Sequence, residues 1–431
     1  GTEKILSRTG NKKICHADRA LHSSSIASRP PSMIGWGMPS IRFLLLPLLL
    51  FNLCVASMPE TQPPFSGQSM ERLASLLDIS STSGAEAPLQ QFWLKHVAPL
   101  ADSSGTDAHQ NAWATFRSPD PDAPELLIDA HADEVGVVIA DITPSGFLKV
   151  RPVGFPDFQS MLSCPYRFDG EYGPVTAFAG AAPGWWLNRE PLPAGGEYIL
   201  FDAGASSAEE AREMGLSVGR RGVPSTKPEL LHGTRLMAHG LDCRLNSFML
   251  MELASFLSRH KKDLKYHVTL LSSSQEETGL AGATAYCGRN RPKLAIVIDC
   301  TLDTVQLDDL PPREENERLS RQAMGEGPVI FTHDKIFYQP ITAQLLQLAE
   351  EHGISFQKNT AFPPGMANFV PVKLYGGHAA FLGPPIRYMH SPRELADLKD
   401  VKATLDLLGR FLCTPPSAEV KTASVQKKEH P

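Results

Sequence analysis

Apolar residues recur along this chain with two different periods, which predict alternating strands and helices. Compact apolar runs between turn residues predict buried strands at 125–130, 135–142, 266–273, 293–298 and 386–389. Helical spacing predicts helices from residue 69 onward and at 88–97, 245–257, 340–352 and 401–412. Strands that alternate with helices in this way indicate an α/β fold.

The pattern changes between residues 151 and 235, which contain 21 Gly and Pro residues in 85 positions. Short strand-like runs at 174–178 and 198–201 lie between turn signals, and Ser206–Glu210 resembles a helix capping box. This segment therefore predicts a small β-rich domain inserted into the α/β domain. The predicted division of the chain is 1–57 (upstream extension and signal peptide), 66–150 and 236–413 (catalytic domain), 151–235 (inserted domain) and 414–431 (disordered tail).

The strongest apolar run, Phe43–Val55, lies near the start of the chain. Arg42 precedes it and the small residues Ala56 and Ser57 follow it. The run is shorter than the ~20 residues of a transmembrane helix. Its flanks are typical of a secretory signal peptide at about residues 38–57, which predicts a secreted or periplasmic protein without stable membrane insertion after cleavage. An amphipathic or anchoring helix is the alternative.

Composition and charge exclude several classes of protein. With 42% hydrophobic and 20% charged residues, the chain as a whole is neither disordered nor a polytopic membrane protein. Residues 1–57 contain seven basic and two acidic side chains, so the remainder carries 34 basic and 45 acidic ones, a net charge of −11. An acidic protein of this kind is not expected to bind nucleic acid. The seven cysteines include no CxxC pair, which argues against a thiolate zinc site.

Several predicted strands end in side chains that bind metals or transfer protons. In open α/β sheets, sites form at the carboxyl ends of strands. Two histidines with several carboxylates suit Zn²⁺, Co²⁺ or Mn²⁺ better than Ca²⁺. A pair of metals needs a bridging carboxylate, and a further carboxylate must stay unligated as a base; the adjacent pair Glu276-Glu277 can divide the roles of base and ligand. The candidates are His131, Asp133, Asp242, Glu276, Glu277, Asp299 and His390.

Five motifs resemble those of the tetrahedral (TET) aminopeptidases, the glutamyl-aminopeptidase family of dinuclear zinc metallopeptidases. The similarity runs from about residue 70 to residue 413. The gap of 111 residues between His131 and Asp242 leaves room for the family's inserted domain. The motifs are Ile128–Gly136, Gly240–Arg244, Gln275–Ala283, Val297–Thr301 and Arg387–Pro392.

The resemblance implies a mixed-sheet zinc-peptidase catalytic domain with an inserted barrel-like or PDZ-like β domain. It also implies peptide substrates, a homo-oligomer of up to twelve subunits, and a cis peptide bond after Asp242. Two divalent cations, Zn²⁺ or Co²⁺, would bind each chain. By this resemblance, one cation is held by His131, Asp242 and Asp299, and the other by Asp242, Glu277 and His390. The resemblance also implies that Glu276 is the general base and that Asp133 orients His131.

Two departures from the family pattern leave alternatives open. Cys243 replaces the acid that follows the bridging Asp, and residues 364–369 lack the family's Thr-Asp pair. The leading hypothesis is an exported dinuclear aminopeptidase. The alternatives are a non-catalytic binding protein that retains the fold, and a metal-dependent hydrolase of another amide.

Overall fold

The computed structural model describes residues 63–180, 198–305, 320–360 and 367–425. The predicted signal peptide lies outside the described residues. Among the residues that are described, no helix is both long enough and apolar enough to cross a membrane.

The described residues form ten α-helices and nineteen strands, and strands alternate with helices mainly after residue 235. Helices α1 to α10 are Gly67–Asp78, Ala87–Val97, Phe158–Met161, Ala208–Glu213, Leu241–Arg259, Ala281–Asn290, Gln339–Glu351, Phe369–Leu374, Leu398–Cys413 and Ala418–Val425. Strands β1 to β10 are Ser103–Thr106, Ala112–Phe116, Glu125–His131, Gly136–Ile142, Leu148–Val153, Pro165–Gly170, Gly173–Phe178, Ile199–Phe201, Arg221–Pro224 and Glu229–Leu231. Strands β11 to β19 are Arg235–Ala238, His267–Ser273, Leu294–Ile298, Thr301–Leu302, Val329–Phe331, Gln357–Asn359, His378–Gly383, Pro385–Arg387 and Glu394–Asp397.

An eight-stranded mixed sheet forms the centre of the α/β part. Its strand order is β1-β2-β12-β3-β13-β17-β15-β16. The central strands β12, β3, β13 and β17 run parallel, whereas β2 is antiparallel to β12 and β15 is antiparallel to β17. The carboxyl ends of β12, β3 and β13 therefore meet at one edge of the sheet, which confirms the predicted α/β fold with a mixed sheet.

Both faces of the central strands β3 and β13 are buried, which explains why these strands are continuous apolar runs. Successive residues of β3 and β13 alternate between two apolar clusters: Ile128 and Ile296 contribute to the larger one, and Leu127 and Val297 to the smaller one. The larger cluster includes residues of α1, α2, α5, α7 and α9, and the smaller cluster includes residues of α6 and α8. The central strands are thus fixed from both sides.

A six-stranded sheet with the order β7-β6-β9-β4-β5-β8 surrounds a separate apolar cluster that includes Tyr166, Phe168 and Phe201. This sheet begins at Gly136, before the predicted start of the insert, and residue 151 lies within β5. At the other end, β10 pairs with β11 of a five-stranded sheet. Strand pairing thus crosses both predicted boundaries, and the inserted domain of 151–235 stays a prediction.

The capping signals of the sequence are present in the structure. Ser207 accepts a hydrogen bond from the backbone N–H of Glu210, and the Glu210 carboxylate accepts one from the backbone N–H of Ser206. This reciprocal pair begins α4, and Gly215 follows the helix in a left-handed conformation.

The chain continues past residue 413 in a way that the sequence analysis does not predict. Residues 418–425 form helix α10 instead of belonging to a disordered tail. Val420 and Ala423, three residues apart on this helix, join the larger apolar cluster. The hydroxyl of Tyr338 also donates a hydrogen bond to the carbonyl of Glu419. The helix is ordered because it buries these side chains against α7, although its own sequence is only weakly amphipathic.

Candidate active site

The structure brings the predicted ligand candidates together at the carboxyl edge of the central sheet. His131 ends β3, Asp299 follows β13 directly, and the pair Glu276-Glu277 follows β12. Asp242 is the second residue of α5, just after β11, and His390 follows β18. His131, Asp299 and the glutamate pair converge because the parallel central strands end at the same edge. Asp242 and His390 reach the site from β11 and β18, which belong to the five-stranded sheet.

Asp242 lies between the two histidines. Its Oδ1 atom is 3.1 Å from Nε2 of His131, and its Oδ2 atom is 3.8 Å from Nε2 of His390. The side chain is 7% exposed. The peptide bond between Asp242 and Cys243 is cis, as the resemblance predicts. One carboxylate with a histidine near each oxygen is an arrangement that can serve two cations.

Each candidate histidine is held through Nδ1 and directs Nε2 toward carboxylates. Nδ1 of His131 lies 3.1 Å from the carbonyl oxygen of Asp133, and Nδ1 of His390 lies 3.0 Å from that of Phe155. A proton on Nδ1 in each case leaves the Nε2 lone pair for a metal. Nε2 of His131 is 3.3 Å from Asp299, and Nε2 of His390 is 3.4 Å from Glu277.

Asp133 positions the adjacent glutamates through their backbone. Its two carboxylate oxygens accept hydrogen bonds from the N–H groups of Glu276 (2.9 Å) and Glu277 (3.0 Å). Burial alone would raise the pKa of Asp133, but the hydrogen bond with His131 and these two N–H groups hold it below its ordinary value. Asp133 is therefore an anionic anchor that connects His131 to the Glu276-Glu277 pair.

Burial makes the carboxylates of Glu276, Glu277 and Asp299 unfavourable as free anions. It raises the pKa of Glu277 to about 7, raises that of Asp299, and raises that of Glu276 well above its ordinary range. A nearby divalent cation would relieve this cost, because an opposite charge favours the ionised form. The side chains form three groups whose possible ligand atoms lie within 4.8 Å of one another. The residues present therefore fit divalent cations.

Cys243 is a member of this cluster that the sequence analysis does not include among its candidates. One of the three groups contains His131, Asp242, Cys243 and Asp299. The thiol is fully buried, lies 4.0 Å from Oδ1 of Asp299 and contacts the side-chain amide of Asn246. Burial raises the pKa of this thiol well above its ordinary value. A sulfur atom thus stands beside the oxygen and nitrogen donors of the first predicted metal position.

Glu394 is a second residue that sequence reasoning misses. Its two carboxylate oxygens accept hydrogen bonds from the backbone N–H groups of Asp242 (3.1 Å) and His390 (2.7 Å). The side chain is 1% exposed. A single buried carboxylate therefore connects the backbone of the central aspartate to that of the second histidine. The only indication of this role in the sequence is an acidic residue four positions after His390, and such a spacing is a weak signal by itself.

Residues 111–407 of the chain match the M42 glutamyl aminopeptidase family. The chain is 30% identical to the lysyl aminopeptidase of Pyrococcus furiosus over 350 residues, which cover 79% of this chain and 96% of that protein. Among solved structures it is similar to the aminopeptidase APDkam598 of Desulfurococcus kamchatkensis (TM-score 0.73, 25% identity, covering 84% of this chain and 98% of that one). It is also similar to the TET1 peptidase of Pyrococcus horikoshii, described as assembling into a tetrahedron or a large octahedral shell (TM-score 0.69, 25% identity, covering 80% and 99%).

These comparisons contradict one expectation of the sequence analysis. The predicted secreted or periplasmic location is wrong, because the related M42 and TET peptidases are cytosolic proteins. That expectation depended on residues 38–57, which lie outside the described residues and outside the match to the family.

Proposed function

Because the chain belongs to the M42 glutamyl aminopeptidase family and is thus a metal-dependent aminopeptidase, we propose that it uses a dinuclear site to release N-terminal residues from peptides. His131, Asp242 and Asp299 are the proposed ligands of one cation. Asp242, Glu277 and His390 are those of the other. The observation that carries this proposal is the position of the Asp242 carboxylate between the two imidazoles.

Zn²⁺ or Co²⁺ ions at these positions would supply polarisation of the scissile carbonyl and activation of water. Glu276 is the proposed general base: its carboxylate takes a proton from the attacking water and delivers it to the nitrogen of the leaving amine. Asp133 supports this role by holding the backbone N–H of Glu276. Burial raises the pKa of Glu276, and a raised pKa makes a carboxylate a better proton acceptor than an ordinary one.

The test compares the wild-type protein with Glu276→Gln and Asp242→Asn. Glu276→Gln is expected to keep the metal content while kcat falls by about 10²–10⁴-fold, because general acid–base groups contribute rate factors of that size. Asp242→Asn is expected to lower both metal content and activity, because one side chain serves both cations. Elemental analysis and hydrolysis of aminoacyl p-nitroanilides are the measurements. Near-normal turnover in Glu276→Gln, or two retained metals in Asp242→Asn, would refute these roles.

Family membership argues against the alternative of a non-catalytic binding protein. The other alternative, hydrolysis of a different amide, is tested by adding N-acetylated amino acids and N-blocked peptides to the same assay. An aminopeptidase requires a free α-amine, so cleavage of blocked substrates in preference to free ones would favour the alternative.

We also propose that the protein is a homo-oligomer. Nine of the eleven large apolar side chains that are exposed among the described residues lie between Phe147 and Leu231. Seven of these are on the strands of the six-stranded sheet or in the segments between and beside them, and Leu230 and Leu231 are on β10. Clustered apolar exposure is typical of an interaction surface, and the similar TET1 peptidase is described as a tetrahedral or octahedral assembly. Light scattering at micromolar protein concentration tests this proposal. The mass of a monomer would contradict it, and a mass near that of twelve subunits would support it.

A further inference from the structure

A cavity of about 610 Å³ opens beside the metal-ligand cluster. This volume falls within the range of ~300–1,000 Å³ that is usual for small-molecule sites. Glu276, Glu277 and the other candidate ligands line one side of the cavity. Much of the remaining lining is apolar and comes from Leu280, Leu302, Phe331, Ala367, Phe381 and Met389.

The charged groups that line the cavity all belong to the cluster already described. Among the lining residues that the structure describes, none is Lys or Arg, and the only acids are Asp242, Glu276, Glu277 and Asp299. The remaining polar side chains of the lining are those of threonines and of Gln322. Within the described lining, a glutamyl side chain would therefore find no cation of the protein outside the ligand cluster. A lysyl side chain would find no carboxylate outside that cluster among the same described residues.

The apolar part of the lining is held by aromatic packing. The ring centroids of Phe331 and Phe381 lie 4.8 Å apart, and that of Phe369 lies 5.6 Å from Phe381. These three rings are at most 5% exposed, so they form a wall that exists before any ligand binds. Leu302 and Met389 are half-buried and present surface to the cavity.

We propose that this cavity receives the side chain of the N-terminal residue of the peptide and selects large apolar side chains such as Leu, Met and Phe. The inference rests on the proposed aminopeptidase function, because the ligand cluster beside the cavity fixes where the scissile bond lies. Burial of an apolar side chain against Leu302 and Phe381 contributes binding energy. A charged side chain at the same place would lose hydration against the apolar lining, where the described residues outside the ligand cluster offer it no oppositely charged partner.

The first test measures kcat/KM for the p-nitroanilides of Leu, Met, Phe, Ala, Glu and Lys with the metal-loaded full chain. Leu is expected to exceed Ala by about 10–200-fold, the discrimination that apolar pockets usually achieve. Leu is also expected to exceed Glu and Lys by at least about 10²-fold. A highest value for Glu or Lys would overturn the assignment while leaving the aminopeptidase function intact.

A second test separates this inference from the proposed function. Calorimetry measures the binding of free L-leucine, L-glutamate and L-lysine to the metal-loaded protein. Tighter binding of leucine is expected even if no p-nitroanilide is cleaved, and that combination would refute the proposed function but keep the cavity assignment. Equal or weaker binding of leucine would overturn the assignment itself.

Variants locate the selectivity in the cavity. Ala367→Asp places a carboxylate in the lining and is expected to lower kcat/KM for Leu by about 10²-fold and to reduce the Leu-to-Lys ratio. Leu302→Asp is the second variant, because its half-buried side chain tolerates replacement more readily. Leu374→Asp is the matched control: this residue is 70% exposed and is not part of the cavity lining. An unchanged Leu-to-Lys ratio in the folded cavity variants would overturn the inference.

Discussion

Arg244 and Glu134 form an ion pair inside the protein, with side chains that are 0% and 1% exposed. Glu134 directly follows Asp133, and Arg244 lies two residues after Asp242. The pair thus ties the segment that carries His131 to the segment that carries the central aspartate of the site. Four further acceptors surround the guanidinium: Ser81 Oγ and the carbonyl oxygens of Leu76, Ile79 and Ala132.

Replacing Arg244 by Met is expected to destabilise the protein by about 3–5 kcal/mol. The substitution leaves the Glu134 carboxylate buried without its cation, and this cost exceeds what the pair contributes as a whole. Urea unfolding in the presence of a chelator measures the effect without a contribution from bound metal. Arg212→Met is the control, because Arg212 and Glu209 form an exposed pair worth at most ~0.5 kcal/mol. A loss below about 1 kcal/mol for Arg244→Met would show that Glu134 finds another partner.

Replacing Glu394 by Gln is expected to weaken metal binding by about 10–100-fold, the usual effect of removing a group that orients metal ligands. The N–H groups of Asp242 and His390 bond to different oxygens of Glu394, and glutamine replaces one of these oxygens with an NH₂ group that cannot accept a hydrogen bond. Titration calorimetry with Zn²⁺ measures the affinity, and circular dichroism checks the fold. Glu171→Gln, a change of an exposed glutamate, is the control. Unchanged affinity in Glu394→Gln would assign Glu394 a purely structural role.

The sequence predicts the strands and most of the candidate site because both depend on local patterns. His131 and Asp299 stand at the ends of continuous apolar runs, and such runs are typical of parallel strands buried on both faces. The meeting of their carboxyl ends then follows from the geometry of any parallel sheet. The resemblance to a known family adds the assignment of Asp242, Glu277 and His390 as ligands to two metal positions. The spacing of these residues in the sequence leaves that assignment open.

The features that the sequence misses depend on contacts between distant segments. Glu394 follows an arginine near a proline and is indistinguishable in sequence from a solvated charge. The start of the six-stranded sheet at Gly136 follows from the pairing of β4 with β5 and β9, which no local period shows. Helix α10 is ordered by burial of Val420 and Ala423 and not by its own amphipathic pattern.

Replacing Cys243 by Asp is expected to strengthen metal binding while it destabilises the metal-free protein. A third carboxylate beside Asp242 and Asp299 adds attraction for a cation, but it also adds a buried like charge when no cation is present. Each tenfold gain in affinity adds about 1.4 kcal/mol to the stability of the metal-bound form at saturating metal. Thermal unfolding with Zn²⁺ and with a chelator measures both effects. Cys413→Asp, at a half-buried site in α9, is the control. A smaller metal-induced rise of Tm than in the wild-type protein would contradict the prediction.

Asp400 gives the protein a pH dependence outside the active site. Its carboxylate accepts hydrogen bonds from the N–H groups of Gly325 and Gly327 (both 2.7 Å), and the residue is 0% exposed. Burial is the largest cause that raises its pKa, from 3.8 to about 7; the nearby Asp397 and Asp303 raise it further, and the two N–H groups oppose the change. The folded state therefore favours the protonated carboxyl more than the unfolded chain does.

The sign of the effect follows from this raised pKa. The stabilising contribution of protonated Asp400 is fully present below about pH 4 and is lost as the pH rises to about 7, with an upper limit of roughly 4 kcal/mol from the size of the shift. Asp400→Asn cannot ionise, so its stability relative to the wild-type protein is expected to rise between about pH 4 and pH 7. Urea unfolding of both proteins across this range measures the difference, with the exposed Asp406→Asn as control. A difference that stays constant with pH would mean that the two backbone N–H groups fully offset burial and keep Asp400 ionised throughout.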